Sequence, residues 1–210
     1  MQALRSADRE LARRCVAGEQ AAQRAFFEAH KRRVHHVLFR VLGTNRDIDD
    51  VIQDAFLAIF RSLPGYRGEA QLATWIDRIC VRVAIRAIAS RPRDRGPALE
   101  LVPLAEDAGR GPDRRAEARE AARRLYALLD EIEPTHRAAF ALHAIDGREL
   151  REVAAVMGAS LIATKLRVWR TRQRIEAAAR KDPALAPFVG AGPRTGAQDG
   201  RSAHDEGGEP

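Results

Sequence analysis

The chain has 210 residues, of which 45% are hydrophobic and 31% charged, so it can form one large or two small soluble domains. Two cysteines, Cys15 and Cys80, exclude a disulfide framework and a four-thiolate zinc site. No signal peptide or run of about 20 apolar residues is present, so we expect a cytoplasmic protein without membrane insertion. The net charge of +7 indicates a polyanionic partner, nucleic acid first, although an arginine-rich solvated surface explains the composition equally well.

The pattern predicts an all-α fold of two small helical domains joined by a flexible linker, the second domain having four helices. Residues 8–90 form a nearly continuous helical pattern, interrupted at Gly43–Asn45 and Pro64–Gly68. Proline and glycine interrupt residues 91–113, which we interpret as the linker. Helical periodicity returns over residues 114–181, and residues 182–210 have the composition of a disordered acidic tail.

The predicted helix over residues 50–63 has two contrasting faces. Its inward face consists of Ile52, Ala55, Phe56, Ile59 and Leu63. The opposite ridge consists of Asp50, Asp54, Leu57 and Arg61, flanked by Gln53 and preceded by Asp47 and Asp49. Acidic residues at a helix start complement the helix dipole, but a ridge that continues past the first turn and includes a leucine also suits protein docking. From the residues alone, both interpretations stay open.

The next helix, roughly residues 71–90, is basic where the previous one is acidic. Arg78, Arg82 and Arg86 repeat every four residues near Trp75. Arginines on one helix face suit phosphate contact, and a neighbouring aromatic ring can stack on an unpaired base. Core packing of Trp75 and an ordinary solvated arginine face are the alternatives.

The second domain has the spacing of a helix-turn-helix. Pro134 opens a helix that runs to Ile145, and a short helix follows from Glu149 to Met157. Gly158 suits a left-handed turn, and Ser160 suits the N-cap of a last helix. Five of the ten residues 165–174 are basic and none is acidic, as expected for a helix that enters the major groove of DNA.

Taken together, these motifs resemble a bacterial RNA polymerase sigma factor of the extracytoplasmic-function group, which keeps only regions 2 and 4. The resemblance covers about residues 10–180. Residues 49–57 are similar to the acidic stretch that docks on polymerase, and residues 63–70 and 74–79 to the segment that melts the promoter −10 element. Residues 150–154 and 158–160, with the basic residues after them, resemble the helix-turn-helix that reads the −35 element.

The resemblance implies a dissociable subunit of RNA polymerase that binds core polymerase and promoter DNA, with no catalytic residues, cofactor or metal of its own. It implies domains at residues 8–90 and 114–181 for regions 2 and 4, and an anti-sigma factor as a further partner. Core polymerase would contact Asp49, Asp50, Gln53, Asp54, Leu57 and Arg61. The −10 element would contact Tyr66, Arg67, Trp75, Arg78 and Arg82. The −35 element would contact Ser160, Lys165, Arg167 and Arg170.

Two departures from the family pattern and three rival functions accompany this interpretation. Arg82 and Arg86 stand where the family often has Asn and Asp, and Ile162-Ala163-Thr164 where it usually has Gly-Thr-Val. One rival is a nuclease that binds metal through Asp49, Asp50 and Asp54, which no second cluster of ligand residues supports. The others are a helix-turn-helix regulator that acts without polymerase, and a sigma mimic that sequesters an anti-sigma factor.

Overall fold

The computed structural model describes residues 2–44, 46–90 and 112–188, and every regular element within those ranges is helical. Eight α-helices follow one another there: α1 (Gln2–Val16), α2 (Gln20–Leu42), α3 (Ile48–Ser62), α4 (Leu72–Ser90), α5 (Pro112–Asp130), α6 (Pro134–Phe140), α7 (Leu150–Met157) and α8 (Leu161–Ala179). A π-helical turn (Ala141–Ile145) extends α6, and 3-10 turns follow α3 (Leu63–Gly65) and α8 (Pro183–Phe188). The predicted all-α fold is confirmed.

Helix α2 is the centre of the N-terminal half, because α1, α3 and α4 all pack against it. Its buried side chains recur at helical spacing: Phe26, Val34, Val37, Leu38 and Val41. The ring of Phe26 lies 5.6 Å from that of Phe60 on α3. Gly43 ends the helix with φ of +68°, and its N–H donates to the carbonyl of Phe39. The predicted interruption at Gly43 is therefore a left-handed helix cap.

Helices α3 and α4 occur close to their predicted positions, but a break before α2 was not predicted. The predicted inward face of α3 is buried except at Ile52, which is half-buried. The chain turns at residues 17–19 between α1 and α2, where Gly18 has φ of +82°. A nearly continuous helix from residue 8 to the first predicted interruption was therefore wrong. A single glycine that takes a left-handed conformation is enough to end a helix.

In the C-terminal half, the helix-turn-helix has its predicted form. Pro134 occupies the first turn of α6, and Gly158 ends α7 with φ of +61°. The Ser160 side chain caps α8, since its Oγ accepts from the N–H of Ala163 at 3.1 Å. Helix α8 packs against α6 and α7 through a narrow inward face. That face consists of Thr164, Val168, Thr171 and Ile175, all of them buried.

The ordered chain continues past the predicted start of the acidic tail at Asp182. The 3-10 turn Pro183–Phe188 packs against α5 and α8, and Leu185 is buried there. Asp182 pairs with Arg124 of α5 at 2.9 Å. Residues 182–188 thus belong to the C-terminal half, and the rest of the predicted tail lies outside the described residues. The predicted linker also lies outside them, apart from residues 112 and 113, which begin α5.

The two halves meet along α4, which packs against α6 and α7, and along the end of α2, which packs against the π-helical turn. Buried side chains from both halves form one continuous hydrophobic cluster. This arrangement brings the predicted −10 helix next to the helix-turn-helix.

Candidate functional site

The predicted docking residues of α3 share one solvent-facing surface, which we call the acidic face. Its members are Asp49, Asp50, Gln53, Asp54, Leu57 and Arg61, and all six are exposed. Within the described part of the chain, the three carboxylates form no ion pair or hydrogen bond with a side chain. Leu57 keeps 43% of its surface exposed among them. A large apolar side chain among unpaired carboxylates is costly to leave in water and suits contact with another molecule.

The predicted −10 residues lie around the start of α4. The Tyr66 and Trp75 rings pack against each other with centroids 5.3 Å apart, and the Tyr66 hydroxyl donates to the carbonyl of Ala70 at 3.0 Å. Both rings are half-buried against the hydrophobic cluster. Arg67 and Arg82 are exposed. The aromatic pair therefore packs on the core and is still partly exposed, so both interpretations of Trp75 stay open.

Arg78, on the same helix, joins the two halves. Its Nε donates to the backbone carbonyl of Ala155 on α7 at 2.8 Å. Arg82 in turn donates from Nε to the carbonyl of Arg78 at 3.2 Å. The structure thus places four of the five predicted −10 residues together at the surface of α4 and its preceding loop, and places Arg78 in the contact between α4 and the helix-turn-helix.

A buried ion-pair network next to Arg78 was not predicted. The carboxylate of Asp77 is almost fully buried and accepts from Arg33 on α2 at 2.7 and 2.8 Å, and from Arg148 before α7 at 2.6 Å. Because both lone-pair directions are filled by guanidinium donors, the buried charge is compensated. The signal in the sequence was an aspartate at a core position of a basic helix, three residues before Cys80.

Arg148 extends this network to Asp146, which also contacts His36 and Arg40 of α2. Burial would raise the pKa of Asp146, but hydrogen bonds from His36 and Arg148 hold that pKa below its usual value. Arg148 is likewise buried, and its two carboxylate partners raise its pKa all the same. The network therefore connects α2, α4 and the loop before α7.

A second buried arginine connects the end of α2 to the C-terminal half. Arg137 of α6 is 1% exposed and donates from Nε to Val41 O at 2.9 Å and from Nη2 to Leu42 O at 2.6 Å. Its Nη1 pairs with Asp130, and its guanidinium lies 5.7 Å from the centre of the Tyr126 ring. A cation on the last carbonyls of a helix satisfies groups that the helix itself leaves free.

The predicted −35 residues lie at the start and along the outer side of α8. Lys165 and Arg170 are exposed, and Arg167 is half-buried. The Oγ of Ser160 accepts the capping hydrogen bond, so Ser160 fixes the start of α8. Ser160 is also exposed, next to the cationic side of that helix. Three exposed apolar residues beside these cations were not predicted: Ile162, Leu166 and Trp169, which are 79%, 42% and 57% exposed. Their spacing of four and three residues was the available signal.

Other kinds of site find no support among the described residues. Residues 2–44, 46–90 and 112–188 contain no group of three His, Cys, Asp or Glu side chains placed to hold a metal ion, and this covers the three carboxylates of the acidic face. Nor is any helix in those ranges long and apolar enough to cross a bilayer. Cys15 and Cys80 are buried free thiols, and burial raises the pKa of Cys80 to about 12.

Comparison with known proteins gives one consistent family. Residues 26–94 match sigma-70 region 2. The chain is 31% identical over 165 residues to the ECF RNA polymerase sigma factor SigE of Mycolicibacterium smegmatis, covering 75% of this chain and 63% of that protein. It is 25% identical over 178 residues to the ECF RNA polymerase sigma-E factor of Escherichia coli K12, covering 80% of this chain and 92% of that protein.

Solved structures agree with this result. The structure of CnrH in complex with the cytosolic domain of CnrY matches with a TM-score of 0.57 and 25% identity, over 84% of this chain and 99% of that one. The sigma factor RpoE in complex with the anti-sigma factor NepR, from Bartonella quintana, matches with a TM-score of 0.50 and 17% identity, over 76% and 97%. The second similarity concerns the fold alone.

Proposed function

The chain belongs to the extracytoplasmic-function group of RNA polymerase sigma factors, and we propose that it docks on core polymerase through the acidic face of α3. In this function it directs promoter-specific initiation of transcription by contacting the −10 and −35 elements. The main support for docking through α3 is the set of unpaired carboxylates around the exposed Leu57. Charge complementarity at the rim and apolar contact at the centre are the two features that a specific protein interface combines.

Binding to purified core polymerase tests the docking face. The labelled full-length chain is titrated with core polymerase at two salt concentrations, alongside the variant Asp50→Arg/Asp54→Arg. Because like charges placed opposite each other at an interface cost several kcal/mol, we expect binding to weaken about 100-fold or more. The matched control, Glu117→Arg/Glu131→Arg, changes the net charge equally at exposed positions on and after α5 and leaves binding intact.

Two other outcomes would contradict the proposal. An equal loss in the α5 control would show a net-charge effect and would reject the acidic face as the docking site. Failure of the unmodified chain to bind core polymerase would reject the sigma function. Duplex binding would then favour a helix-turn-helix regulator, and its absence a sigma mimic.

For the −10 element, we propose that Tyr66, Arg67, Trp75 and Arg82 hold the opened strand. The aromatic pair offers stacking surface, and the two exposed arginines offer phosphate contacts beside it. Arg78 can join this surface only when its hydrogen bond to the carbonyl of Ala155 is exchanged for a contact with DNA.

The opening step is measured with the holoenzyme. We expect Arg67→Ala/Arg82→Ala to slow open-complex formation, followed by permanganate reactivity of unpaired thymines, while binding to core polymerase stays unchanged. The control Arg24→Ala/Arg119→Ala removes the same charge from exposed positions on α2 and α5. Unchanged opening in the first variant would reject this part of the proposal.

For the −35 element, we propose that α8 enters the major groove and that Lys165, Arg167 and Arg170 hold phosphates or base edges around it, next to Ser160 at the helix start. The exposure of Lys165 and Arg170 supports phosphate contact. Replacing both by alanine should lower the slope of log K against log salt by about 2. An unchanged slope would contradict the assignment.

We also propose that an anti-sigma factor holds the chain inactive. The support is that CnrH and RpoE, similar in fold, are each seen bound to a second protein, the latter to an anti-sigma factor. A pull-down with the purified cytosolic domain of CnrY and with NepR gives a first test with defined partners. Competition with core polymerase is the expected signature, and binding that leaves the core complex intact would argue against inhibition.

A further inference from the structure

The outer side of α8 exposes an unusual set of apolar side chains, Ile162, Leu166 and Trp169, which we call the α8 stripe. Positions four and three residues apart lie on the same side of a helix, so the three form one continuous strip. They account for half of the six large apolar side chains that are exposed among the described residues. The helix packs on the rest of the protein through its opposite side, around Thr164 and Val168, so the α8 stripe takes no part in the core.

On α8 itself, the charged residues beside the α8 stripe are all cationic. Lys165 and Arg170 are exposed on the same side of the helix, interleaved with the three apolar residues. No acidic residue occurs from Leu161 to Ile175. A surface that alternates apolar groups with cations, and has no carboxylate, is complementary to a ligand that combines phosphates with small apolar groups.

Duplex DNA presents that combination in its major groove. The only apolar group on a base edge there is the 5-methyl of thymine, which aliphatic and aromatic side chains contact directly. In a helix-turn-helix the first turns of the second helix reach the base edges. Ile162 lies in the first turn after the Ser160 cap, and Leu166 lies in the second.

We propose that the α8 stripe reads thymine methyl groups and thereby determines which −35 sequences the protein prefers. This inference rests on the proposed entry of α8 into the major groove. The seven residue-to-residue steps from Ile162 to Trp169 rise about 10 Å along the helix, which corresponds to about three base-pair steps. Ile162 and Leu166 contribute most, because Trp169 lies one turn further from the end that approaches the bases.

The test compares thymine with uracil, which differs only by lacking the methyl group. The full-length chain, alone and combined with core polymerase, selects binding sequences from a pool of randomised duplexes. The selected duplex is then made with deoxyuridine in place of each thymidine in turn. A contacted methyl should be worth about fourfold in affinity, the equivalent of about 0.8 kcal/mol for a buried methylene. Two adjacent positions together should then give about 15-fold.

The variant Ile162→Ala/Leu166→Ala tests whether the α8 stripe is the part of the protein that distinguishes thymine from uracil. Both side chains point to solvent and alanine favours helix, so the variant should keep the melting temperature of the parent chain. We expect it to bind the thymidine and deoxyuridine duplexes equally, whereas the control Lys165→Ala binds more weakly but keeps the full thymidine preference.

The outcomes separate this inference from the function on which it rests. If the unmodified chain binds duplex but is indifferent to uracil, or if the selected sites lack thymine, the inference is overturned and an apolar protein surface becomes the occupant to seek. If neither the chain nor its complex with core polymerase binds any duplex, both the inference and the −35 assignment are rejected.

Discussion

Replacing Arg137 by alanine should destabilise the protein more than any other arginine-to-alanine change at the described positions. Its guanidinium is buried and donates to the carbonyls of Val41 and Leu42, two residues that are themselves buried. The substitution removes two hydrogen bonds from a charged donor and leaves both carbonyls without it. Because Val41 and Leu42 are themselves buried, we expect solvent to restore only part of this loss.

The magnitude follows from these contacts. Hydrogen bonds from a charged group contribute about 1.5–3 kcal/mol each, and losing one partner of a buried charged contact costs about 3–5 kcal/mol in total. We expect the free energy of unfolding to fall by about 3–5 kcal/mol. For a chain of this size that lowers Tm by roughly 6–20 °C. Lysine retains the charge but not the planar fork, so Arg137→Lys should recover only part of the loss.

Thermal and urea unfolding, followed by circular dichroism, measure the effect. Arg124→Ala is the matched control, because Arg124 forms ion pairs with Glu120 and Asp182 while remaining in solvent, and exposed pairs add little stability. A loss below about 1 kcal/mol for Arg137→Ala would refute the reasoning. Equal losses in Arg137→Ala and Arg124→Ala would refute it too.

Three further outcomes follow from the structure. The folded-state pKa of Asp146 is lowered, so its contribution to stability is present above the ordinary value of 3.8 and is lost as the pH falls through the folded pKa. Asp146→Asn should therefore flatten the fall in Tm that the parent chain shows as the pH drops below 3.8. Gly43→Ala should cost clearly more stability than Gly158→Ala, because both residues have positive φ but, of the two, only at Gly43 would the new Cβ clash with a neighbour, the Tyr126 ring. Cys80, buried and with a pKa raised to about 12, should react with a disulfide reagent only at the rate of unfolding, and rapid labelling of the native protein would contradict its burial.

Features that depend on neighbouring residues could be predicted from the sequence. The Gly158 turn and the Ser160 cap each follow from the chemistry of a few adjacent positions, and both occur as expected. The acidic face of α3 was found for the same reason, since helical spacing fixes which residues share a side. The helix break at Gly18 was not predicted, although a glycine that takes a left-handed conformation is a local signal.

Features that depend on distant partners could not be predicted. Asp77 finds its guanidinium partners 44 and 71 residues away, and Arg137 finds its acceptors more than 90 residues away. Charge and periodicity classify such residues as surface groups until their partners are known. The α8 stripe was overlooked for a different reason: attention to the cations of that helix left its apolar residues unassigned.

The long separation between Arg137 and its acceptors also bears on how the chain folds during synthesis. The carbonyl of Leu42 leaves the ribosome 95 residues before the guanidinium that satisfies it, which is about 5–20 s of translation. Throughout that interval the end of α2 has only water or transient partners for its last carbonyls. The N-terminal half therefore reaches its final stability only after α6 has emerged, and a nascent chain stalled before residue 137 should remain sensitive to protease at the end of α2.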